Sequence, residues 1–154
     1  MAHIFQLNIS NGGVPKLAVR DADVIETGLV GDKQKHLKFH GGPERAVCLY
    51  ALERILKLQG EGHPIFPGAV GENVTVAGLD WEQLAPGTRL ALGDEVVLEV
   101  TSYTVPCKNI AAAFDDGHFN RIAQPKHPGD ARLYAKVIRP GRLLIGQAVR
   151  VLAG

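Results

Sequence analysis

The chain has 154 residues, with 17 lysines and arginines against 16 aspartates and glutamates, so its formal net charge is +1 with histidine neutral. This length predicts a single domain over residues 1–154, and a hydrophobic content of 45% is enough to form its core. The balance of charge excludes the high net charge of a disordered chain and the strongly basic composition of a dedicated nucleic-acid-binding protein.

The predicted elements are mostly short strands that are separated by Pro-Gly and Gly-Gly turns. In chain order, the strands are residues 3–9, 74–76, 88–92, 95–101, 132–138, 143–145 and 148–152. The dipeptide Gly93-Asp94 joins the third and fourth of these strands as a hairpin. Helices are predicted only over residues 51–59 and 108–114. The pattern predicts a mainly β fold, a closed or folded-over β-barrel with a few short helices.

The cysteine count and the apolar runs indicate where the protein works. Two cysteines, Cys48 and Cys107, are too few for a disulfide framework and indicate a reducing compartment. The longest apolar run, residues 46–52, is too short to span a membrane, and the N-terminus lacks the regions of a signal peptide. The sequence therefore predicts a cytoplasmic protein with no membrane partner.

Cys107 is the leading candidate for chemistry. It follows Pro106 beyond a predicted strand, and the predicted helix over residues 108–114 begins directly after it. A helix N-terminus and the neighbouring Lys108 would both favour the thiolate, which is a nucleophile, a sulfur carrier and a soft-metal ligand. An inert thiol at the end of a strand is the alternative. Cys48 has apolar neighbours on both sides and is predicted to be a small buried hydrophobe.

Two further segments carry polar groups in glycine-containing turns. In the first, a glycine pair lies between His40 and Arg45, so backbone amides and cationic side chains can face an anion. In the second, Glu72-Asn73 precedes the strand over residues 74–76 and can orient a polar ligand. Each pattern also fits an ordinary turn with solvated side chains. Walker A, Gly-x-Gly-x-x-Gly and Gly-x-Ser-x-Gly motifs are absent from the sequence.

Charge is distributed unevenly along the chain. Residues 51–100 carry three bases and eight acids, whereas residues 101–154 carry eight bases and three acids. These charges can spread over different faces of the fold, or the basic C-terminal third can contribute to a local anion site inside a neutral protein.

Several segments taken together resemble one known family. They are Gly28-Leu29-Val30-Gly31-Asp32, the run from Phe39 through His40-Gly41-Gly42-Pro43-Glu44-Arg45 to Tyr50, Gly71-Glu72-Asn73-Val74-Thr75-Val76, and Thr104-Val105-Pro106-Cys107-Lys108. In order and spacing they resemble the MOSC domain, named for the C-terminal domain of molybdenum cofactor sulfurase. The stand-alone bacterial YiiM-like branch looks most similar, and the resemblance covers nearly the whole chain.

The resemblance implies a closed barrel and a role for one cysteine, here Cys107. Its thiolate ligates molybdenum in family members that bind the molybdenum cofactor and is proposed to carry sulfur as a persulfide in sulfurase-type members. The positions that match the family's cofactor-binding groups are His40, Arg45, Glu72, Asn73 and Lys108, with Glu72 as a supporting partner. Thr104 stands where some relatives have a basic residue.

The resemblance leads to three functional hypotheses. The first is a molybdenum-cofactor-dependent reductase of small N-hydroxylated compounds, with molybdenum held by Cys107 and electrons from a separate protein. The second is a carrier that receives sulfur or cofactor from a donor protein and has no turnover of its own. The third is a β-barrel that binds a small ligand or a protein and has no redox role.

Overall fold

The computed structural model describes residues 1–33 and 42–153, and strands predominate in them. The strands are β1 (His3–Ile9), β2 (Leu17–Val19), β3 (Asp21–Ile25), β4 (Gly28–Leu29), β5 (Val47–Ala51), β6 (Val74–Ala77), β7 (Arg89–Leu92), β8 (Val96–Tyr103), β9 (Leu133–Arg139), β10 (Gly141–Leu144) and β11 (Val149–Val151). The helical elements are α1 (Leu52–Gly60) and short 3₁₀ helices at Pro43–Arg45, Trp81–Gln83, Lys108–Ala113 and Phe119–Ile122. The predicted mainly β fold with a few short helices is confirmed.

Two sheets contain all of these strands. The larger sheet has the order β11-β7-β8-β9-β5-β6-β1-β2, and the smaller has the order β10-β3-β4. Neighbouring strands are antiparallel except β5 and β6, which are parallel. A parallel pair needs a crossover connection, and α1 lies in the connection between these two strands. Ile55 and Leu58 form the buried side of this helix.

The prediction of a closed barrel is wrong for the regular sheet. Within residues 1–33 and 42–153, its strand order ends at β2 on one side and at β11 on the other. The two sides are linked by an isolated bridge between His3 and Ala148 and by backbone hydrogen bonds around it: the Ile4 amide donates to the Gln147 carbonyl at 2.9 Å, the Gly146 amide to the Ile4 carbonyl at 2.7 Å and the Val149 amide to the Ala2 carbonyl at 3.0 Å. The bridge does not extend into a ladder because β2 pairs with the later part of β1.

The core follows from the burial pattern of the central strands. All residues of β5 and β6 are buried, as expected for continuous apolar strands that are covered on both faces. By contrast, most of β8 alternates between buried and half-buried residues, which indicates one face on the core and one nearer to solvent. The central strands are therefore the most constrained part of the fold.

One edge of the larger sheet brings together the segments that carry the candidate site. There β1 and β8 end, whereas β6 and β9 begin. Backbone pairing continues past the strand ends, because the Thr104 amide donates to the Arg132 carbonyl at 2.9 Å and the Asn73 amide donates to the Cys48 carbonyl at 2.7 Å. The residues on either side of these hydrogen bonds are consequently held next to one another.

An ion-pair cluster anchors the chain just before β9. The carboxylate of Asp130 accepts hydrogen bonds from Arg121 at 2.6 Å and from Lys57 at 3.2 Å. The backbone carbonyl of Asp130 accepts a 2.6 Å hydrogen bond from the Tyr50 hydroxyl. Burial opposes ionisation of Asp130, but hydrogen bonds from Arg121 and Lys57 outweigh it and lower the pKa of this carboxyl. The cluster thus fixes the entry to β9 through a charged side chain.

Asp130→Asn is expected to reduce the free energy of unfolding at pH 7 by about 2 kcal/mol, because it removes charged hydrogen bonds. A lowered folded-state pKa stabilises above the unfolded pKa of about 4 and is lost as pH falls through the folded value. The wild type should therefore lose more stability than the variant between about pH 5 and pH 2. Urea unfolding across this range measures the difference, and parallel stability curves would contradict it.

Candidate functional site

A cleft opens at the sheet edge where β1 and β8 end. It encloses about 570 Å³ when its open mouth is included. Its walls come from five parts of the chain: the loop after β1, the start of β5, the loop before β6, the segment after β8 and the start of β9. The lining residues are Gly13, Val14, Lys16, Lys33, Cys48, Val70, Gly71, Asn73, Cys107, Asn109, Ile110, Arg132 and Tyr134.

The charged residues that line this cleft are all basic. Lys16, Lys33 and Arg132 contribute positive charge, and no aspartate or glutamate is among the described lining residues. The charge of Lys16 is compensated by Asp32, since its Nζ lies 2.6 Å from Oδ1 of Asp32 and both side chains are buried. The electrostatic character of the cleft therefore favours an anionic or metal-containing ligand with negatively charged groups.

Cys107 lies in the wall of the cleft and is half-buried. It is the N-cap residue of the 3₁₀ helix Lys108–Ala113, and its backbone is extended (φ −140°, ψ 173°). The predicted helix after Cys107 is thus present as a 3₁₀ helix that ends one residue earlier. The cleft, rather than a long helix dipole, is what distinguishes the environment of this thiol.

Cys48 is buried as predicted, but it lines the same cleft as Cys107. Burial raises the pKa of the Cys48 thiol, although the charge of Arg132 partly opposes this. Its Sγ lies 3.9 Å from Oγ1 of Thr104. Cys48 is therefore a protonated thiol at neutral pH and is a poorer nucleophile than a thiolate.

Asn73 joins three elements beneath the cleft. Its Oδ1 accepts a 3.0 Å hydrogen bond from the amide of Cys48, and its Nδ2 donates to Oδ2 of Asp32 at 2.9 Å. The same Nδ2 lies 3.3 Å from the carbonyl of Asn8. Because the Asn73 side chain is buried and hydrogen-bonded on both of its polar atoms, it orients the strand that carries Cys48. The described contacts assign it a structural role within the cleft wall.

Asn73→Asp is expected to destabilise the protein by about 2 kcal/mol at pH 7, because a carboxylate would face Asp32 in place of an N–H donor. The new carboxylate still accepts from the Cys48 amide. Stability should recover as pH falls, once one of the two carboxyls binds a proton. Thermal unfolding between pH 4 and pH 8, relative to wild type, tests this. Asn73→Ala is the control, since it lacks the second carboxylate and should show no such recovery.

Glu72 is fully buried and lies behind the described lining rather than in it. Burial raises the pKa of its carboxyl, whereas hydrogen bonds, including one from the Thr75 hydroxyl at 2.9 Å, oppose the rise. Its Oε1 has no hydrogen-bond partner. The resemblance implied that Glu72 is a supporting partner of the cofactor-binding groups, and the structure places it in the packing that supports the loop before β6.

The remaining predicted binding residues are Arg45, Lys108 and His40, and the structure does not place Arg45 or Lys108 in the cleft lining. The half-buried Arg45 has its guanidinium carbon 5.9 Å from the centre of the Tyr134 ring, a cation–π arrangement at one cleft wall. Lys108 is exposed and does not line the cleft. His40 lies outside the described residues. The structure thus brings Cys107 and Asn73 into one cleft, with Arg45 against one of its lining residues.

The sequence did not single out Lys16, Arg132 or Tyr134 as site residues. Lys16 is far from Cys107 in the sequence, and Arg132 belongs to the predicted strand over residues 132–138, where no motif marks it as a site residue. Burial raises the pKa of Tyr134, so its phenol stays protonated at physiological pH. Tyr134 was predicted only as part of the strand over residues 132–138, and the burial of the Arg132 charge next to it has no local sequence signal.

Residues 1–33 and 42–153 contain neither a cluster of metal-binding side chains nor a helix that could cross a membrane. No group of three or more histidine, cysteine, aspartate or glutamate side chains in these residues is arranged to hold a metal ion. No helix in the described part of the chain has the length and apolar character needed to cross a membrane.

Relatives with similar sequences extend over most of the chain. It is 31% identical to "Uncharacterized protein YflK" of Bacillus subtilis, over 93% of this chain and 71% of that protein. It is 30% identical to "Protein YiiM" of Escherichia coli, over 78% of this chain and 54% of that protein. A protein of Gibberella moniliformis named "Reductase" is 28% identical, and the match covers 82% of this chain and 23% of that protein.

Solved structures show the same fold. The crystal structure of YiiM from Geobacillus stearothermophilus matches with a TM-score of 0.74 at 21% identity, over 99% of this chain and 76% of that one. YiiM from Escherichia coli matches with a TM-score of 0.72 at 23% identity, over 100% and 71% of the two chains. The sequence model described as "MOSC domain" matches residues 36–150. The chain therefore belongs to the MOSC domain family, in its YiiM-like branch.

Proposed function

We propose that this protein binds the molybdenum cofactor in the cleft and reduces N-hydroxylated compounds, with the Cys107 thiolate as the protein ligand to molybdenum. The supporting observation is a half-buried cysteine in a cleft whose charged lining is entirely basic, in a member of a family that is associated with the molybdenum cofactor. A soft thiolate suits the metal, and the surrounding positive charge suits the phosphate of the pterin.

The described residues fit such a cofactor in two respects. Cys107 supplies one thiolate, and no carboxylate of the described lining competes with an anionic ligand for the basic groups. In addition, the buried Nε of Arg132 has no hydrogen-bond partner, so this lining residue has a donor that the described fold does not satisfy. We assign Cys107 to the metal and Arg132 to the anionic part of the ligand, and Asn73 orients the strand beneath them.

The chemistry supplied by the bound cofactor is two-electron removal of oxygen from the substrate at molybdenum. An N-hydroxylated substrate, two electrons and two protons give the parent amine or amidine and one water molecule. The electrons come from a separate electron-donor protein. The residues of this chain would hold the ligand in the cleft.

Tyr134 is suited to serve as a hydrogen-bond donor in this reaction. Burial raises the pKa of its phenol, so the group remains a hydrogen-bond donor at neutral pH. It lines the cleft together with Cys107. We propose that it donates a hydrogen bond to the oxygen of the bound substrate.

The test is reconstitution of the purified protein with the molybdenum cofactor, followed by elemental analysis after gel filtration. We expect molybdenum to remain with the protein, and reduced protein to convert hydroxylaminopurine to the aminopurine. The negative control is protein that has been incubated with molybdate alone. Loss of all molybdenum on gel filtration, together with no turnover, would reject the proposal.

A second candidate function is a sulfur carrier, with a persulfide on Cys107. The observation that favours it is the contrast between the two thiols: Cys107 is half-buried at the cleft, whereas Cys48 is buried and has a raised pKa. In the loading step, the Cys107 thiolate attacks the terminal sulfur of a donor persulfide, and the donor leaves as its thiolate.

Mass spectrometry after incubation with a cysteine desulfurase and cysteine distinguishes the two candidates. A carrier should gain the mass of one sulfur atom on the peptide that contains Cys107, and a reducing agent should remove it. The peptide that contains Cys48 is the internal control, because its thiol is buried and protonated. Absence of a reducible adduct on Cys107 would count against the carrier.

A further inference from the structure

The side chain of Arg132 is a buried charge that makes no salt bridge with a carboxylate of the described residues. Only 5% of the residue is exposed, yet it lines the cleft. Its Nη1 donates a 2.6 Å hydrogen bond to the carbonyl of Val70, and its Nε has no hydrogen-bond partner. A guanidinium has five N–H donors, so a neutral carbonyl leaves most of its bonding capacity and its charge unmatched.

The nearest candidates for a counter-ion do not serve this purpose. Asp32 is already engaged by Lys16 at 2.6 Å and by the amide of Asn73 at 2.9 Å. Glu72 makes no salt bridge with a described residue, and burial raises the pKa of its carboxyl, a rise that hydrogen bonds and the charge of Arg132 oppose only in part. A buried, unpaired charge is costly, and an open cleft beside it allows a ligand to supply the missing anion.

We infer that Arg132 anchors an oxyanion subsite in the wall of the cleft, and that the subsite takes a phosphate group. A guanidinium forms paired hydrogen bonds with phosphate oxygens. The hydrogen bond from Nη1 to the Val70 carbonyl fixes the orientation of the Arg132 guanidinium and therefore of its remaining donors. The subsite deepens the proposed function and rests on it for the identity of the ligand, because the cofactor carries a phosphate. The charge and the unmatched donor exist independently of that ligand.

Alkylation of Cys107 reports occupancy of this subsite without any requirement for catalysis. Both residues line one cleft, so phosphate at Arg132 should hinder the approach of a small alkylating reagent to Cys107. The experiment uses the cofactor-free protein, iodoacetamide and peptide mass spectrometry, with inorganic phosphate compared against sodium chloride at equal ionic strength. We expect phosphate to slow alkylation of Cys107 at least threefold and to raise the melting temperature.

Variants separate a subsite from general screening of charge. Arg132→Gln should abolish the phosphate effect, and Arg132→Lys should keep a weaker one, since lysine retains the charge but loses the fork of donors. Arg139→Gln is the matched control: it removes a positive charge from the exposed end of β9, the strand that Arg132 directly precedes, and phosphate should still protect Cys107. Far-UV circular dichroism checks that each variant is folded.

The outcomes are distinct from those that decide the proposed function. If phosphate does not slow alkylation in the wild type, the guanidinium is satisfied by water alone and the inference is overturned, even if the protein retains molybdenum. If phosphate protects only when Arg132 is present but no molybdenum is retained, the subsite stands and the proposed function fails. Equal protection in wild type and Arg132→Gln would also overturn the inference.

Cofactor reconstitution identifies the source of the phosphate group. Pterin fluorescence after gel filtration should fall in Arg132→Gln relative to Arg139→Gln if the subsite holds the cofactor. If pterin retention is equal while phosphate protection still requires Arg132, the subsite takes a free or substrate-borne phosphate. Either result supports an oxyanion subsite at Arg132 and assigns its ligand.

Discussion

Cys107→Ser should lose retained molybdenum and turnover of hydroxylaminopurine by about 100-fold or more after reconstitution. Changes to the partners of metal ligands already cost 10- to 100-fold, and this substitution removes the ligand itself. A serine hydroxyl is nearly isosteric with the thiol, but it is neutral at physiological pH and is a hard oxygen donor. The expected loss therefore arises from the chemistry of one atom, and unfolding should be almost unchanged.

Cys48→Ala provides the matched control in the same cleft. Cys48 also lines the cleft, but its thiol is buried and is kept protonated by its raised pKa. This variant should retain molybdenum close to the wild-type level and should lose about 1 kcal/mol of stability from the missing sulfur. Retention of molybdenum by Cys107→Ser, or its loss in Cys48→Ala, would reject Cys107 as the ligand.

Gly68→Ala is expected to lower the free energy of unfolding by about 4 kcal/mol. Gly68 has φ +92°, a conformation that side-chain-bearing residues rarely adopt. A methyl group at this position would overlap the carbonyl oxygen of Lys16, and the Lys16 amide donates to the Gly68 carbonyl at 2.9 Å. Two backbones must therefore separate, which also disturbs the ion pair between Lys16 and Asp32 at the cleft.

Gly12→Ala isolates the contribution of the overlap. Gly12 has φ +110°, and no heavy atom lies within 4 Å of a methyl group built on it. It should lose only about 1 kcal/mol from backbone strain. Urea unfolding of both variants gives the difference, and iodoacetamide labelling of Cys48 should be faster only in Gly68→Ala. Equal losses of stability would show that the overlap with the Lys16 carbonyl adds nothing to the cost of a side chain at Gly68.

The predicted strands and their boundaries agree closely with the structure where alternation and turns are both strong. The hairpin about Gly93-Asp94 and the strand at residues 3–9 are the clearest cases. Alternation reports which face of a strand is buried, and a two-residue turn fixes the register of its neighbours. Barrel closure was predicted less well, since it depends on how β2 and Ala148 share the edge of β1.

The candidate site was predicted in part for a related reason. Cys107 and Asn73 each lie in a short segment with its own recognisable pattern, and both segments reach the cleft. Arg132 and Lys16 have no such local signal, because their importance depends on what lies across the sheet edge. Lys108 is adjacent to Cys107 in sequence, yet it projects into solvent rather than into the cleft lining.

The sequence by itself determined the family, the mainly β fold and the thiol that is the proposed metal ligand, because these depend on residue order and short-range pattern. Only the tertiary structure decided that Cys48 shares a cleft with Cys107, that Glu72 lies behind that cleft, and that Arg132 is buried without a salt bridge to a described carboxylate. Burial and unmatched charge are properties of long-range packing, and no local stretch of sequence encodes them.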